Sequence, residues 1–234
     1  MKTIRLVVTL ILTYFLPSLV WSDIVHFDDL VVRDGVHFKK FSNEPFNGYG
    51  FVRNILNEKS WSTNKENIIV TEITTFNLGK VTKKRTYYGD RLVLVENMKD
   101  GIPNGVQKGF YGFIVDGGFE FILHFQNGKK HGPTEQYYEN GILKFEGMYQ
   151  DDLKTGPWKT YHINGKIWST GTWKRGKKIK VWRTFDEDGN LRTLKSFTEE
   201  GIRTGVWNFY NPEGSLTKSQ IWEDGELTEK ISYD

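Results

Sequence analysis

The chain has 234 residues, 15% of them aromatic, and no cysteine. That length allows one large or two small domains, and the missing cysteine excludes disulfides, thiol nucleophiles and cysteine-based metal sites. Setting Lys2 and Arg5 aside, 30 basic residues face 29 acidic ones, a balance that gives no strong field for nucleic acid or anionic lipid.

The first 22 residues have the form of an export signal. Met1 to Arg5 is short and basic, and Leu6 to Val20 is apolar apart from Thr9, Thr13, Pro17 and Ser18. Val20-Trp21-Ser22 then places a small residue before Asp23. The apolar run is shorter than the roughly 20 residues of a membrane span and is interrupted by Pro17. It is expected to be a cleaved signal peptide, taking the mature chain to the periplasm, the cell surface or the medium.

Residues 23–78 are read as lead-in strands and a degenerate first repeat. Leu30-Val31-Val32 and Val36-His37-Phe38 flank Asp34-Gly35, a strong hairpin signal. Asn54 to Asn67 is polar and aperiodic and reads as an inserted surface loop, and Ile68 to Phe76 alternates as a strand does.

From Gly79 to the C-terminus a pattern of about two dozen residues recurs. Its opening positions are Gly132, Gly156, Lys180 and Gly205, and a turn glycine follows nine residues later at Gly141, Gly165, Gly189 and Gly214. Residues 112–117 lie within a longer unit, whose extra residues are expected to extend the tip near Val115 to Gly118. Each unit reads as strand, tight turn, strand, loop. The fold expected is all-β: an elongated antiparallel sheet of successive hairpin repeats of about 24 residues.

The aromatic residues recur with the unit. Trp158, Trp182 and Trp207 follow each opening position, then Tyr161, Phe185 and Tyr210, and Trp173 and Trp222 lie on second strands. Ile167 and Trp173 are an even number apart, and are expected to share a face. Trp158 and Tyr161 are three apart and should point to opposite faces unless a bulge intervenes. With large aromatics on both faces, either the sheet curls or one aromatic face remains as a groove.

Gly171-Thr172-Trp173-Lys174-Arg175-Gly176-Lys177, with Trp182 beyond, resembles the MORN repeat, whose core is Gly-x-Trp/Tyr-x-x-Gly-Lys-x-x-Gly-x-Trp/Tyr. Met148-Tyr149 through Trp158 and Phe197 through Trp207 are similar. The longer unit, with its Asn-Gly or Asp-Gly turn, is closest to the bacterial MORN-repeat variant proteins, some of which are labelled antitoxins. Lys180 and Thr134 depart from the pattern in the glycine and tryptophan slots, as does Asp152 for a loop glycine. The resemblance implies a sheet of hairpins that mediates protein association, with lipid binding proposed for some arrays.

Chemistry-bearing constellations are sparse. The five histidines show no metal-ligand spacing, and no phosphate-cradling or dinucleotide motif occurs. The carboxylate pairs Asp151-Asp152 and Glu199-Glu200 lie on loops, where solvation is the ordinary reading. Lys174, Arg175, Lys177 and Lys178 form the one dense basic run and are the candidate contacts for a partner or anionic lipid. The expectation is therefore a non-enzymatic, cofactor-free protein-interaction or scaffold module with an unidentified protein partner. The alternatives are an anionic-lipid or cell-surface binding module, an antitoxin-like binder of a toxin, and a carbohydrate binder or hydrolase.

Overall fold

The computed structural model describes residues 23–56, 68–111 and 118–233. The export signal and the 112–117 tip lie outside these residues. The chain divides into two compact units, 1–102 and 103–234.

The first unit holds β1 (Asp23–His26), a 3-10 turn at Phe27–Asp29, β2 (Leu30–Arg33), β3 (Val36–Lys39), β4 (Gly48–Leu56), β5 (Ile68–Asn77), β6 (Lys80–Tyr88) and β7 (Arg91–Lys99). β4 to β7 form an antiparallel meander, and β1 pairs with β4 in parallel, Asp23 opposite Gly48. β2 and β3 make the hairpin expected at Asp34-Gly35, with both turn residues in the left-handed region. The core here is aromatic: Phe46 and Phe76 are buried, with Phe76 centred 4.8 Å from the His37 ring and 5.5 Å from Phe46. The inserted loop expected from Asn54 does not begin there. β4 continues to Leu56, because its backbone groups pair with β5 up to Leu56 opposite Ile68, whatever the polarity of the side chains. Residues 57–67 lie outside the described residues.

The short β8 (Ile102–Pro103) falls at the division. The second unit then holds β9 (Gly105–Phe110), β10 (Phe119–Gln126), β11 (Lys129–Tyr137), β12 (Leu143–Gln150), β13 (Leu153–Tyr161), β14 (Ile167–Lys174), β15 (Lys177–Phe185), β16 (Leu191–Phe197), β17 (Arg203–Tyr210), β18 (Leu216–Glu223) and β19 (Glu226–Ser232). Each strand pairs antiparallel with the next. The protein is all-β, built of successive hairpins, as its repeat implied.

Among the described residues, wide and tight turns join these strands. Around Gly141, Gly165, Gly189 and Gly214 a wider turn closes on an N–H to C=O bond between its ends, as from His162 to Lys166 at 2.8 Å. The expected inter-unit loops are mostly tighter than loops. Asp151-Asp152, Arg175-Gly176 and Asp224-Gly225 are two-residue turns with both φ positive, the geometry that matches the twist of adjoining strands. Asp152 replaces a glycine there at φ 68°, a conformation Asp tolerates better than most residues.

Candidate functional site

The repeat is organised by a bulge at each opening position. Gly156, Pro157 and Trp158 together oppose the single Gly147, because the register runs from Glu146–Lys159 to Met148–Thr155. Lys180, Val181 and Trp182 oppose Gly171 in the same way, and Gly205, Val206 and Trp207 oppose Lys195. Such a bulge needs a left-handed residue at its start. Gly156 has φ 69°, Gly205 φ 65° and Lys180, without glycine's freedom, φ 57°.

Each bulge folds its tryptophan down onto the strand opposite. A Cβ at residue 147 would come within 2.0 Å of the Trp158 ring, and one at residue 171 within 2.1 Å of Trp182. The indole N–H groups of Trp182 and Trp207 donate to the carbonyls of Thr172 and Ser196 at 3.2 and 2.9 Å. Trp158, Trp182, Trp207 and Trp222 are all buried, at 9% exposure or less. They extend through second-strand aromatics: Trp158 meets Tyr149 edge-on at 5.6 Å, Trp173 meets Trp182 at 5.2 Å, and Trp207 lies 4.9 Å from Trp222. Trp168 stands apart from this face and is 53% exposed.

A single-layered sheet has no second layer to bury these indoles, and long cationic side chains do it instead. Lys154 sits 4.4 Å over Trp158 and 5.0 Å over Trp173, and Lys178 4.4 Å over Trp182. Lys195 and Arg203 cover Trp207 at 5.1 and 5.7 Å. Apolar stems lie along the rings and the charged ends meet the negative ring faces. Burial, then repulsion from Lys130, lowers the pKa of Lys154; burial, then Lys154, lowers that of Lys178. Burial, followed by Lys178, Arg203 and Lys218, lowers that of Lys195.

Tyr161, Phe185 and Tyr210 lie on the opposite face, since no bulge separates Trp158 from Tyr161 within β13. The aromatic set singled out from the sequence thus divides between two faces. The expected sharing of a face by Ile167 and Trp173 fails at a second bulge. Register shifts at Tyr161 pair Ile167 with Tyr161, and likewise Leu143 with Tyr137, Leu191 with Phe185 and Leu216 with Tyr210. The aliphatic residue near each wide turn therefore supports the aromatic of the opposite face.

On that face Glu135 pairs across the strands with Glu146, and Glu146 with Lys159. Tyr137 donates to Glu135, Tyr161 donates to Glu146 at 2.7 Å, and Lys159 Nζ lies 3.0 Å from the Glu146 carboxylate. The hydrogen bonds from Tyr161 and Lys159 hold the Glu146 carboxyl below the usual range. Burial, then the bond to the neighbouring carboxylate, pushes both Tyr137 and Tyr161 up to about 12. Beside this row lies a shallow depression of about 250 Å³ whose lining includes Pro133, Met148, Pro157, Glu135, Glu146 and Lys159. The residue after each opening position continues an apolar stripe through Pro133, Pro157, Val181 and Val206, with Met148 44% and Val206 46% exposed.

Successive units are also stapled through their wide turns. Tyr138 donates to the carbonyl of Tyr161 at 2.8 Å, and His162 Nε2 to that of Phe185 at 3.0 Å. Asn140 and Asn164 reach the carbonyls of Ile163 and Glu187, one turn further on, at 3.2 and 2.8 Å.

The basic run is dispersed by its turn. Arg175 occupies the turn itself, Lys174 pairs with Glu199 at 3.1 Å, Lys177 lies beside Gly201, and Lys178 turns onto the indoles. The acidic pairs serve turns: Asp152 Oδ1 accepts from the Lys130 N–H at 2.9 Å, and Asp151 lies 3.4 Å from His131. Among the described residues no group of three or more His, Asp or Glu could hold a metal ion. Nor is any helix among them long and apolar enough to cross a membrane.

Sequence reasoning named Gly171 as a repeat position without its place under Trp182, and missed Glu146, Gly147 and the cations Lys130, Lys154, Lys195, Arg203 and Lys218. A signal existed for some of the cations: Lys130, Lys154 and Arg203 each stand two residues before an opening position, as Lys178 does.

The family model described as MORN repeat variant matches residues 130–151 and 154–175, which span β11 to β12 and β13 to β14 with the turns that follow. No curated protein matches the chain. The matched segments are two of the bulged hairpins described above, so the chain carries MORN-variant repeats there, and the same bulge and turn pattern recurs in the hairpins that follow.

Proposed function

We propose that this chain is an exported, non-catalytic interaction module that binds a protein partner on the face opposite the indoles. The observation that carries the reading is the exposed apolar group of Pro133, Met148 and Pro157 beside the charged row of Glu135, Glu146 and Lys159, with Val206 exposed further along the array. An exposed apolar strip with a polar margin is the usual make-up of a protein contact surface. Two further features support it. MORN repeats are often interaction modules, and an array presents the same contact several times along one face. The basic start and apolar run before Asp23 support export.

The test is affinity capture from envelope and medium fractions with the native chain and a Met148→Asp/Val206→Asp variant. Both positions are exposed, so the variant should melt with the native chain while losing the captured protein. Equal capture by the variant, or no saturable partner for the native chain, overturns the reading. Fractionation of the full-length chain tests export, and retention of the uncleaved chain in the cytoplasm contradicts it.

A further inference from the structure

The indole face carries a line of cations with no anion to meet them. Lys130, Lys154, Lys178 and Arg203 recur two residues before the openings, and Lys195 and Lys218 lie between or beyond them. Lys130 rests 5.2 Å over Tyr149, Arg203 4.6 Å over Trp222, and Lys218 4.2 Å over Phe209. Among the described residues none of the six has a carboxylate within ion-pair distance. The register places no Asp or Glu on this face between β12 and β18: Glu146 pairs with Lys159 opposite, and Glu223 follows Trp222 at the far turn. The cations also lie near enough to repel in sequence, from Lys130 to Lys154, Lys178, Lys195 and on to Lys218. Like charges held in a row, partly stripped of water and pinned to ring faces, are a standing electrostatic cost that an anion relieves.

We propose that this ribbon binds a linear polyanion of the acidic-polysaccharide class, laid across β11 to β18 so that carboxylates along one chain meet successive cationic ends. The recurring cation comes once per two strands, a pitch of roughly 10 Å, which suits charges repeated along a polymer better than one compact anion. Single-stranded nucleic acid binding uses open aromatic faces for base stacking, and here Trp158, Trp182 and Trp207 are buried beneath the lysine stems. An anionic membrane is favoured by apolar side chains that insert, and the indoles of this face do not project.

Polygalacturonate oligomers of defined length are the probe, with binding to the full mature chain read by calorimetry and by tryptophan emission. Affinity should rise with oligomer length and fall with salt. Emission should shift, because the cations rest on the indoles. The variant Lys154→Met/Lys178→Met/Lys195→Met keeps apolar stems on the rings and removes three charges, and should lose at least tenfold in affinity. Should that variant not fold, Lys178→Met alone should reduce the slope of log affinity against log salt by about 1. Lys159→Met, on the opposite face, should bind as the native chain does. Three outcomes overturn the proposal: no binding to any oligomer, equal binding by the charge-removed variants, or binding only to phosphatidylglycerol vesicles or oligothymidylate.

Discussion

Trp182 lies so closely over Gly171 that a Cβ at residue 171 would come within 2.1 Å of the indole Cδ2. The contact joins two units through one missing side chain. Gly171→Ala should therefore displace the ring and destabilise the protein by roughly 1–3 kcal/mol, measurable by thermal or denaturant unfolding. Gly147→Ala, under Trp158, should behave alike. Gly165→Ala tests a different cost: that glycine meets nothing closer than 3.7 Å but has φ 85°.

Lys180 occupies the left-handed position that glycine fills in neighbouring units, at φ 57°. Lys180→Gly removes the Cβ clash of that conformation and should stabilise the chain by up to about 1 kcal/mol. A lower melting temperature would mean that the Lys180 side chain contributes more than its backbone conformation costs.

The two groups of tryptophans should separate cleanly by truncation. Trp207 is buried and hydrogen-bonded through its Nε1, so Trp207→Ala should cost about 3–5 kcal/mol. Trp168 is half exposed, and Trp168→Ala should stay within about 0.5 kcal/mol of the native chain. Denaturant midpoints of the two variants decide the matter.

The Tyr161–Glu146 pair makes two pH limits. The Glu146 carboxyl is held below its ordinary 4.5, so the stability it brings is present at neutral pH and is lost as pH falls through that lowered value. Tyr161 is raised from 10.0 to about 12, so its contribution is complete below pH 10 and disappears as pH rises towards 12. Tyr161→Phe should return the Glu146 titration upward, read by NMR, and should remove one late-ionising phenol from the alkaline absorbance titration. Tyr137, bound to Glu135 and also raised to about 12, should remain late-ionising in that variant.

The stapling of wide turns offers a further check. Asn164 bonds its own turn through Lys166 N and the next turn through Glu187 O. Asn164→Ala removes both and should cost about 1–2 kcal/mol, whereas Asn164→Asp, which keeps the acceptor alone, should cost less.

Much of this molecule was determined by the sequence alone. Glycines nine residues after each opening, with aromatic positions recurring at the same period, are local signals, and local signals specify hairpins because turn geometry depends on a few adjacent residues. The positive-φ requirement at Gly156 and Gly205 is of the same kind. What the tertiary structure decided is everything that depends on register. Parity along β14 placed Ile167 with Trp173 only until an extra residue at Trp168 shifted the pairing, and a one-residue shift moves a side chain to the other face. The run Lys174 to Lys178 is contiguous in the chain, yet a two-residue turn sends Lys174 to Glu199 and Lys178 to the indoles. Conversely, Lys130, Lys154, Lys178 and Arg203 are about two dozen residues apart and become one line only when strands pair. A tryptophan recurring at a fixed interval announces a repeat. Whether it meets a ligand or a glycine depends on the strand beside it, and here Gly147 and Gly171 lie beneath the indoles while lysine stems close them from above.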